Sequence, residues 1–491
     1  MIAAIRRLTQ WRRTVPSLVL AIGMHGCAPA PRTASAVPDA TVVNGWITTP
    51  DRRSLLSPLP ALTLTLTTTT RVTGTRIDVD TAQQFQVIDG FGAALTDASA
   101  WLIQARLAPA QRDALLQQLF GRGGTGAGFS FLRVTIGASD FSRSHFTFDD
   151  LPAGQRDDAL TQFSIDAHRA EMLPVLRRAL AINPALTIMA TPWSAPAWMK
   201  TSGSLSGGTL RPEAFRVYAE YLVKFVDAYA SEGVPVALLS VQNEPHHEPK
   251  DYPGMRFMPP QRSRFIGEHL GPMLARRDAR RRPRILDWDH NWDEAQSPLT
   301  VLRDTLARRF VAGVAWHCYA GEVSAQSVVH AAHPDKDTWF TECAGGAWAP
   351  DFGQNLRWNV RTLVIGATRH WARGVALWNV ALDERHGPHL GGCTDCRGVV
   401  TIDSATGAIT YNEEFHALAH ASRFVLPGAR RIASTSGVDD LETVAFRNPD
   451  GRIALLVVNA ATVARTMTVR SGARAFTSSL APGAVVTFTW R

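Results

Sequence analysis

Tyrosine, cysteine and methionine are scarce, with 6, 5 and 9 among 491 residues. So few cysteines exclude a disulfide-dense scaffold, and they lack the two spaced ligand pairs of a structural zinc site. Charge is sparse as well. Only 19% of residues are Asp, Glu, Lys or Arg, against 45% hydrophobic, which excludes a disordered chain and leaves room for a large core and more than one domain. Beyond the N-terminal segment no apolar run approaches the length of about 20 residues that a membrane helix needs. The net charge of +8 invites a nucleic-acid reading, but much of it sits in Arg6, Arg7, Arg12 and Arg13 and in the run RRDARRRPR, Arg276 to Arg284. That run ends a helix-like segment, where cations suit the dipole and the solvent. No Lys/Arg stripe interleaved with exposed aromatics occurs elsewhere, so nucleic acid is not an expected partner.

What is present at the start is an address. MIAAIRRLTQWRR is basic, VPSLVLAIGM apolar and HGCA small and cuttable, so residues 1–27 read as a signal peptide. The expected location is secreted or periplasmic. Gly26-Cys27 resembles a lipoprotein cleavage site, which makes lipid anchoring through Cys27 the alternative. Residues 28–44 read as a flexible linker. Of the later cysteines, Cys318 and Cys343 fall in apolar strand-like segments and are expected to be small core residues. Cys393 and Cys396 form a lone CxxC in a Gly-rich loop, a weak sign of zinc; a loop disulfide or a free pair is the better reading.

Both flanks are β-rich. Residues 45–89 alternate apolar residues with Thr, as in LTLTLTTTTRVTGTRIDVD. Residues 424–491 hold two strands around Asn448-Pro449-Asp450-Gly451 and close on AVVTFTW. These flanks predict one β-sandwich interrupted by residues 90–423. The middle alternates amphipathic helices, such as PEAFRVYAEYLVKFVDAYASEG, with eight short apolar runs: 90–95, 129–137, 186–194, 236–244, 284–291, 313–319, 337–343 and 374–380. The expected class is therefore α/β, a (β/α)8 TIM barrel with a β-sandwich made from both chain ends.

The runs turn polar at their C-terminal ends, which a barrel gathers around one mouth. Glu244 and Glu342 end the fourth and seventh runs. Two carboxyls across a pocket, with Trp193, Trp378 and Tyr319 nearby, suit glycosidic bond cleavage: one protonates the leaving oxygen while the other attacks the anomeric carbon. The aromatics suit the apolar faces of a sugar ring, and Asp140, Asn243 and His317 its hydroxyls. Arg133 is expected to hold the nucleophile ionised. The charge of Glu342 is expected to raise the pKa of Glu244.

GFGAALTDASAWLI, RVTIGASDFS, TPWSAPAWMKT, SVQNEPHHEP, WHCYAG, TECAGG and ALWNVALDERHGPH occur in an order that resembles glycoside hydrolase family 30, over roughly residues 45 to 491. The family includes glucosylceramidases, β-glucosidases, β-xylosidases and β-1,6-glucanases. The resemblance implies a retaining mechanism with Glu244 as acid/base and Glu342 as nucleophile. It also implies sugar binding by Asp140, Trp193, Asn243, His317, Tyr319 and Trp378. Neither metal nor organic cofactor is implied, and no protein partner; the expected partner is a carbohydrate or glycolipid substrate. The expected substrate is a β-glucoside, glucosylceramide-like or β-1,6-glucan, with a β-xyloside as the alternative. A non-catalytic sugar binder would have lost one carboxylate. GGCTDCRG departs from the family's Asn-Phe stretch after the eighth strand, which puts the leaving-group side of the pocket in question.

Three further groups have plain readings. His246, His247 and Glu248 lack the i, i+4 spacing of a metal site. Asp97 is expected to be a structural carboxylate at the barrel base or domain junction. Trp198 and Trp316 are expected in the core.

Overall fold

The computed structural model describes residues 41–68 and 73–491. The signal peptide, most of the linker and Cys27 lie outside them. Eight parallel strands close a barrel: β1 (Gly90–Leu95), β2 (Phe131–Ile136), β3 (Thr187–Pro192), β4 (Leu238–Ser240), β5 (Arg284–Asn291), β6 (Val311–His317), β7 (Asp337–Glu342) and β8 (Ala372–Leu377). Each pairs with the next in sequence, and β8 pairs with β1. Phe131, Met189, Leu238, Leu286, Ala315, Trp339 and Ala376, one each from β2 to β8, form a core cluster inside the closed sheet. The barrel is thus packed below the strand ends, and chemistry is confined to its mouth.

The crossover helices follow their sequence signals. A single turn at Pro212–Ala214 leads into the helix Phe215–Ser231, which buries Phe215, Tyr218, Leu222, Phe225 and Tyr229. Gly233, at φ +77°, ends it, a backbone state that glycine adopts at no steric cost.

The second sheet draws on both flanks. The strand Thr41–Thr48 pairs with Val485–Trp490 through its later residues and with Leu62–Leu66 through its first three. Thr75–Val87 lies between Arg430–Ser434 and Arg465–Ser471. Leu441–Arg447 and Ile453–Asn459 pair across the expected turn, closed by Gly451 N–H donating to Asn448 O at 2.9 Å. Barrel and sandwich are knit together. His420, wholly buried, hydrogen-bonds Thr487 at 3.0 Å and Thr48 at 2.9 Å, one strand from each end of the chain.

Two expectations move. The first strand begins at Thr41, inside the segment expected to be linker up to residue 44, because its alternation is short and abuts tether-like composition. Asp97 is not at the barrel base. It opens the helix Asp97–Trp101 directly after β1, on the mouth side, where it accepts from the backbone and guanidinium of Arg143. Trp316 is wholly buried as expected, and Trp198, half-buried, packs against the same core and donates to Asp149 O at 3.0 Å.

Candidate active site

The mouth is organised around one cation. Arg133, on β2, is wholly buried, and its guanidinium reaches three other strand ends. Nη1 donates to Glu342 Oε2; Nη2 donates to Asn243 Oδ1 at 2.7 Å and to Asp289 Oδ2 at 2.9 Å. Charge-assisted, forked donation of this kind fixes geometry as well as charge. Arg133 thus pairs with Glu342 and also ties in the ends of β4 and β5.

Glu244 leaves β4 in a left-handed conformation, φ +43°, which a side chain of its size rarely adopts. The strain is held by neighbours: Glu244 N–H donates to Asp289 O at 3.0 Å, Asn243 N–H to Pro192 O at 2.8 Å, and His247 N–H back to Glu244 O at 2.8 Å. Strain of about 1–3 kcal/mol that persists under such constraint is a mark of a functional position. Glu342 is the last residue of β7 and pairs in register with His317 of β6. Tyr319 Oη donates to Glu342 Oε1 at 2.9 Å. One carboxylate oxygen of Glu244, one of Glu342 and a ring nitrogen of His317 all lie within 4.8 Å of one another.

The residues that follow His317 and Glu342 are covalently joined: Cys318 and Cys343 form a disulfide. This corrects the expectation of two small core residues. The pair is 25 residues apart with a helix between, and only the His317–Glu342 register makes the two thiols neighbours. Cys393 and Cys396 form a second disulfide.

A cavity of about 530 Å³ opens over the carboxylates. Asp140, Trp193, Asn243, Glu244, Tyr319, Glu342 and Trp378 line it. Trp193 and Trp378 stack on one another, centroids 5.2 Å apart and planes at 20°, with the Arg133 guanidinium 4.8 and 5.6 Å from their centres. Asp140 is covered by the disulfide loop. Gly392, at φ +66°, packs so closely that a Cβ there would sit 2.6 Å from Asp140 Cβ. Both cysteines of that loop reach the cavity wall.

His317 does not line the cavity, so the expected hydroxyl contact is corrected. Wholly buried, it places Nδ1 3.0 Å from Glu244 Oε1 and Nε2 3.1 Å from Asp289 Oδ1. Both nitrogens are spent on protein carboxylates. His246, His247 and Glu248 diverge, to Glu294, Tyr252 and Arg256 respectively.

The electrostatics follow from His317. Burial opposes its charge, yet the charge of Glu342 and hydrogen bonds with Asp289 and Glu244 raise it to about 9. Burial likewise opposes ionisation of Glu244, but the bond and charge of that imidazolium hold it down at about 2. Burial raises Glu342, against the cations of His317 and Arg133. The expectation that Glu342 would push Glu244 up therefore fails in the open cavity, because the nearest charge to Glu244 is positive. Asp140 is pushed well up by burial and by the charge of Glu342.

Asp289, near the end of β5, also belongs to the mouth. It is wholly buried and accepts from Arg133, from Thr341 at 2.6 Å and from Thr191 at 3.1 Å. Burial opposes its charge, but the Arg133 cation carries it far below the usual carboxylate range. Its direction is hidden in sequence. Trp288 and Asp289 are both left-handed, which breaks the strand's alternation. Asp287 is consequently free to pair with Arg262, while Asp289 joins the mouth. His290, at the end of β5, also lines the cavity, as do Tyr252 and Trp348 from loops.

Residues 88–425 match the Glycosyl hydrolase family 30 TIM-barrel domain, and residues 428–488 the Glycosyl hydrolase family 30 beta sandwich domain. Endo-1,6-beta-D-glucanase neg1 of Aspergillus fumigatus is 35% identical over 446 residues, covering 84% of this chain and 86% of its own. Lysosomal acid glucosylceramidase of Mus musculus is 28% identical over 451 residues, covering 85% and 84%. The solved endo-beta1,6-glucanase BT3312 superposes with a TM-score of 0.83 at 30% identity, covering 91% of this chain and 99% of that one. With both domains matched in order around a carboxylate-lined mouth, the chain is a glycoside hydrolase and belongs to glycosyl hydrolase family 30.

Proposed function

We propose that the chain is an exported enzyme that cleaves internal bonds of a β-1,6-linked glucan by double displacement. The carrying observation is the approach of Glu244 and Glu342 to within 4.8 Å, a separation suited to covalent capture and too short for an intervening attacking water. The choice of glucan follows two relatives described as endo-1,6-β-glucanases. Export is supported by the basic-apolar start of the sequence and by two disulfides among the described residues.

In the first step a Glu342 oxygen bonds to the anomeric carbon, the bond to the leaving sugar breaks, and its oxygen takes a proton from Glu244. Arg133 and Tyr319, already bonded to Glu342, keep that carboxylate aimed. In the second step Glu244 takes a proton from water, the water oxygen bonds to the anomeric carbon, and Glu342 is released. Both inversions together retain the β configuration.

Glu244 and His317 hold one proton between them from about pH 2 to about pH 9, and the Glu244-protonated arrangement of that pair is the acid. Activity is therefore expected to be bell-shaped. It falls on the acid side as Glu342 protonates, at a pH above that of an ordinary glutamate, and on the alkaline side near 9, as the shared proton is lost. His317→Gln removes the cation, leaving Glu244 buried beside an anion. Its alkaline limb should move down by about two pH units or more. An unmoved limb in a pH–kcat/KM profile would refute the shared proton.

The substrate assignment is tested on a panel of β-1,6-glucan, an aryl β-glucoside, an aryl β-xyloside and a glucosyl lipid, with products separated by size. A ladder of β-1,6-linked oligomers, released first as β anomers, is expected. Glucose as sole product would overturn internal cleavage, and early α anomers would overturn double displacement.

A further inference from the structure

The catalytic cavity is not the largest concave surface. A cleft of about 880 Å³ lies on the barrel flank, along the helix Phe352–Trp358 and its continuation Asn359–Gly366, as far as Glu442 of the sandwich. Trp348 lines both the cleft and the cavity, so the two adjoin at that residue. Among the described residues, Trp348 and Trp358 are the most exposed tryptophans, at 55% and 43%, whereas those of the catalytic floor are stacked and buried. Exposed indoles on a concave surface need a reason, since an apolar face of that size is left in water at a cost.

Trp348 is held in place. Its loop pairs with the disulfide loop, Gly345 with Arg397 and Gly346 with Cys396, and Ala347 N–H donates to Asp395 O at 2.8 Å. Its ring packs on Gly346, where a Cβ would lie 1.9 Å from an indole carbon. Further down, Trp358 shares the cleft with Gln354, Arg361 and Glu442, the last two being ion-paired at 3.5 Å. Flat apolar faces alternate here with planar amide, guanidinium and carboxylate groups. That composition suits a sugar chain, whose C–H faces stack on indoles while its hydroxyls find paired donors and acceptors.

We infer that this cleft binds the portion of a β-linked glucan that extends beyond the catalytic cavity, with Trp348 at the junction and Trp358 as a distal stacking platform. The inference rests on the polymer reading of the active site and deepens it. A chain too long for the cavity of about 530 Å³ that leaves past Trp348 enters a surface already shaped to receive it.

The test compares the full chain with Trp358→Ala and Trp358→Phe on long β-1,6-glucan and on an aryl β-glucoside that fits the cavity. Loss of one stacking contact should raise KM for the polymer about three- to tenfold, with kcat unchanged. The aryl glucoside should be handled as before, and phenylalanine should restore most of the loss. Glu342→Gln enzyme should be retained on immobilised glucan, and less so with Trp358→Ala added. Equal losses on both substrates, or an unchanged polymer KM, would overturn the inference. If the unaltered chain cleaves the aryl glucoside but neither cleaves nor binds the polymer, the cleft assignment falls while glycosidase action stands. If it cleaves neither, the functional reading itself falls.

Discussion

Glu342→Gln is expected to lower kcat on an aryl β-glucoside by roughly four to six orders of magnitude, the scale on which loss of a nucleophile is felt. Glutamine has the same shape, and its carbonyl can still accept from Arg133, the donor that Glu342 now has on Oε2. It cannot form the covalent intermediate. Folding should survive, because the change removes a charge from a buried cluster that keeps Asp289 against the Arg133 cation. Intact melting with lost turnover is the expected pair of results. Residual activity above about 1% would remove Glu342 from the nucleophile's role.

Glu244→Ala should separate substrates by their leaving groups. On β-1,6-glucan, whose departing alkoxide needs a proton, kcat/KM should fall by about 10²–10⁴. On an aryl glucoside with an activated leaving group the first step should be nearly untouched, and water attack becomes limiting. A small anion such as azide then fits the space of the deleted carboxylate, and β-glucosyl azide should accumulate. Chromatographic detection of that product, with the leaving-group dependence, measures the role. Equal losses on both substrates would point to a structural carboxylate instead.

All eight barrel strands lie within or beside their apolar runs, and Glu244 and Glu342 meet as their strand-end positions implied. Those features are local in origin: a buried parallel strand reads as a short apolar run, and a barrel collects the ends. What escaped sequence reading depends on departures from ideal strands. The register shift at Trp316 and His317 sets His317 opposite Glu342 and brings Cys318 to Cys343. The left-handed pair Trp288–Asp289 turns a carboxylate into the mouth that simple alternation would have kept on the side of Asp287. Tyr252 and Trp348 belong to loops, whose course is set by partners distant in sequence, such as the Gly346–Cys396 pairing. None of these leaves a periodic trace.

The edge shared by Thr41–Thr48 and Val485–Trp490 has a consequence for biosynthesis. The earlier strand leaves the ribosome more than four hundred residues before its partner, a wait of roughly 20–90 s at ordinary translation rates. Over the last hundred or so residues of that wait the barrel has all its own strands, which end at Leu377, while the later residues of Thr41–Thr48 still present unpaired amides to any passing chain. Premature termination anywhere in the last strands would therefore leave a nascent product with an assembled mouth and a sticky rim, and quality control has to act on that rim rather than on the catalytic half.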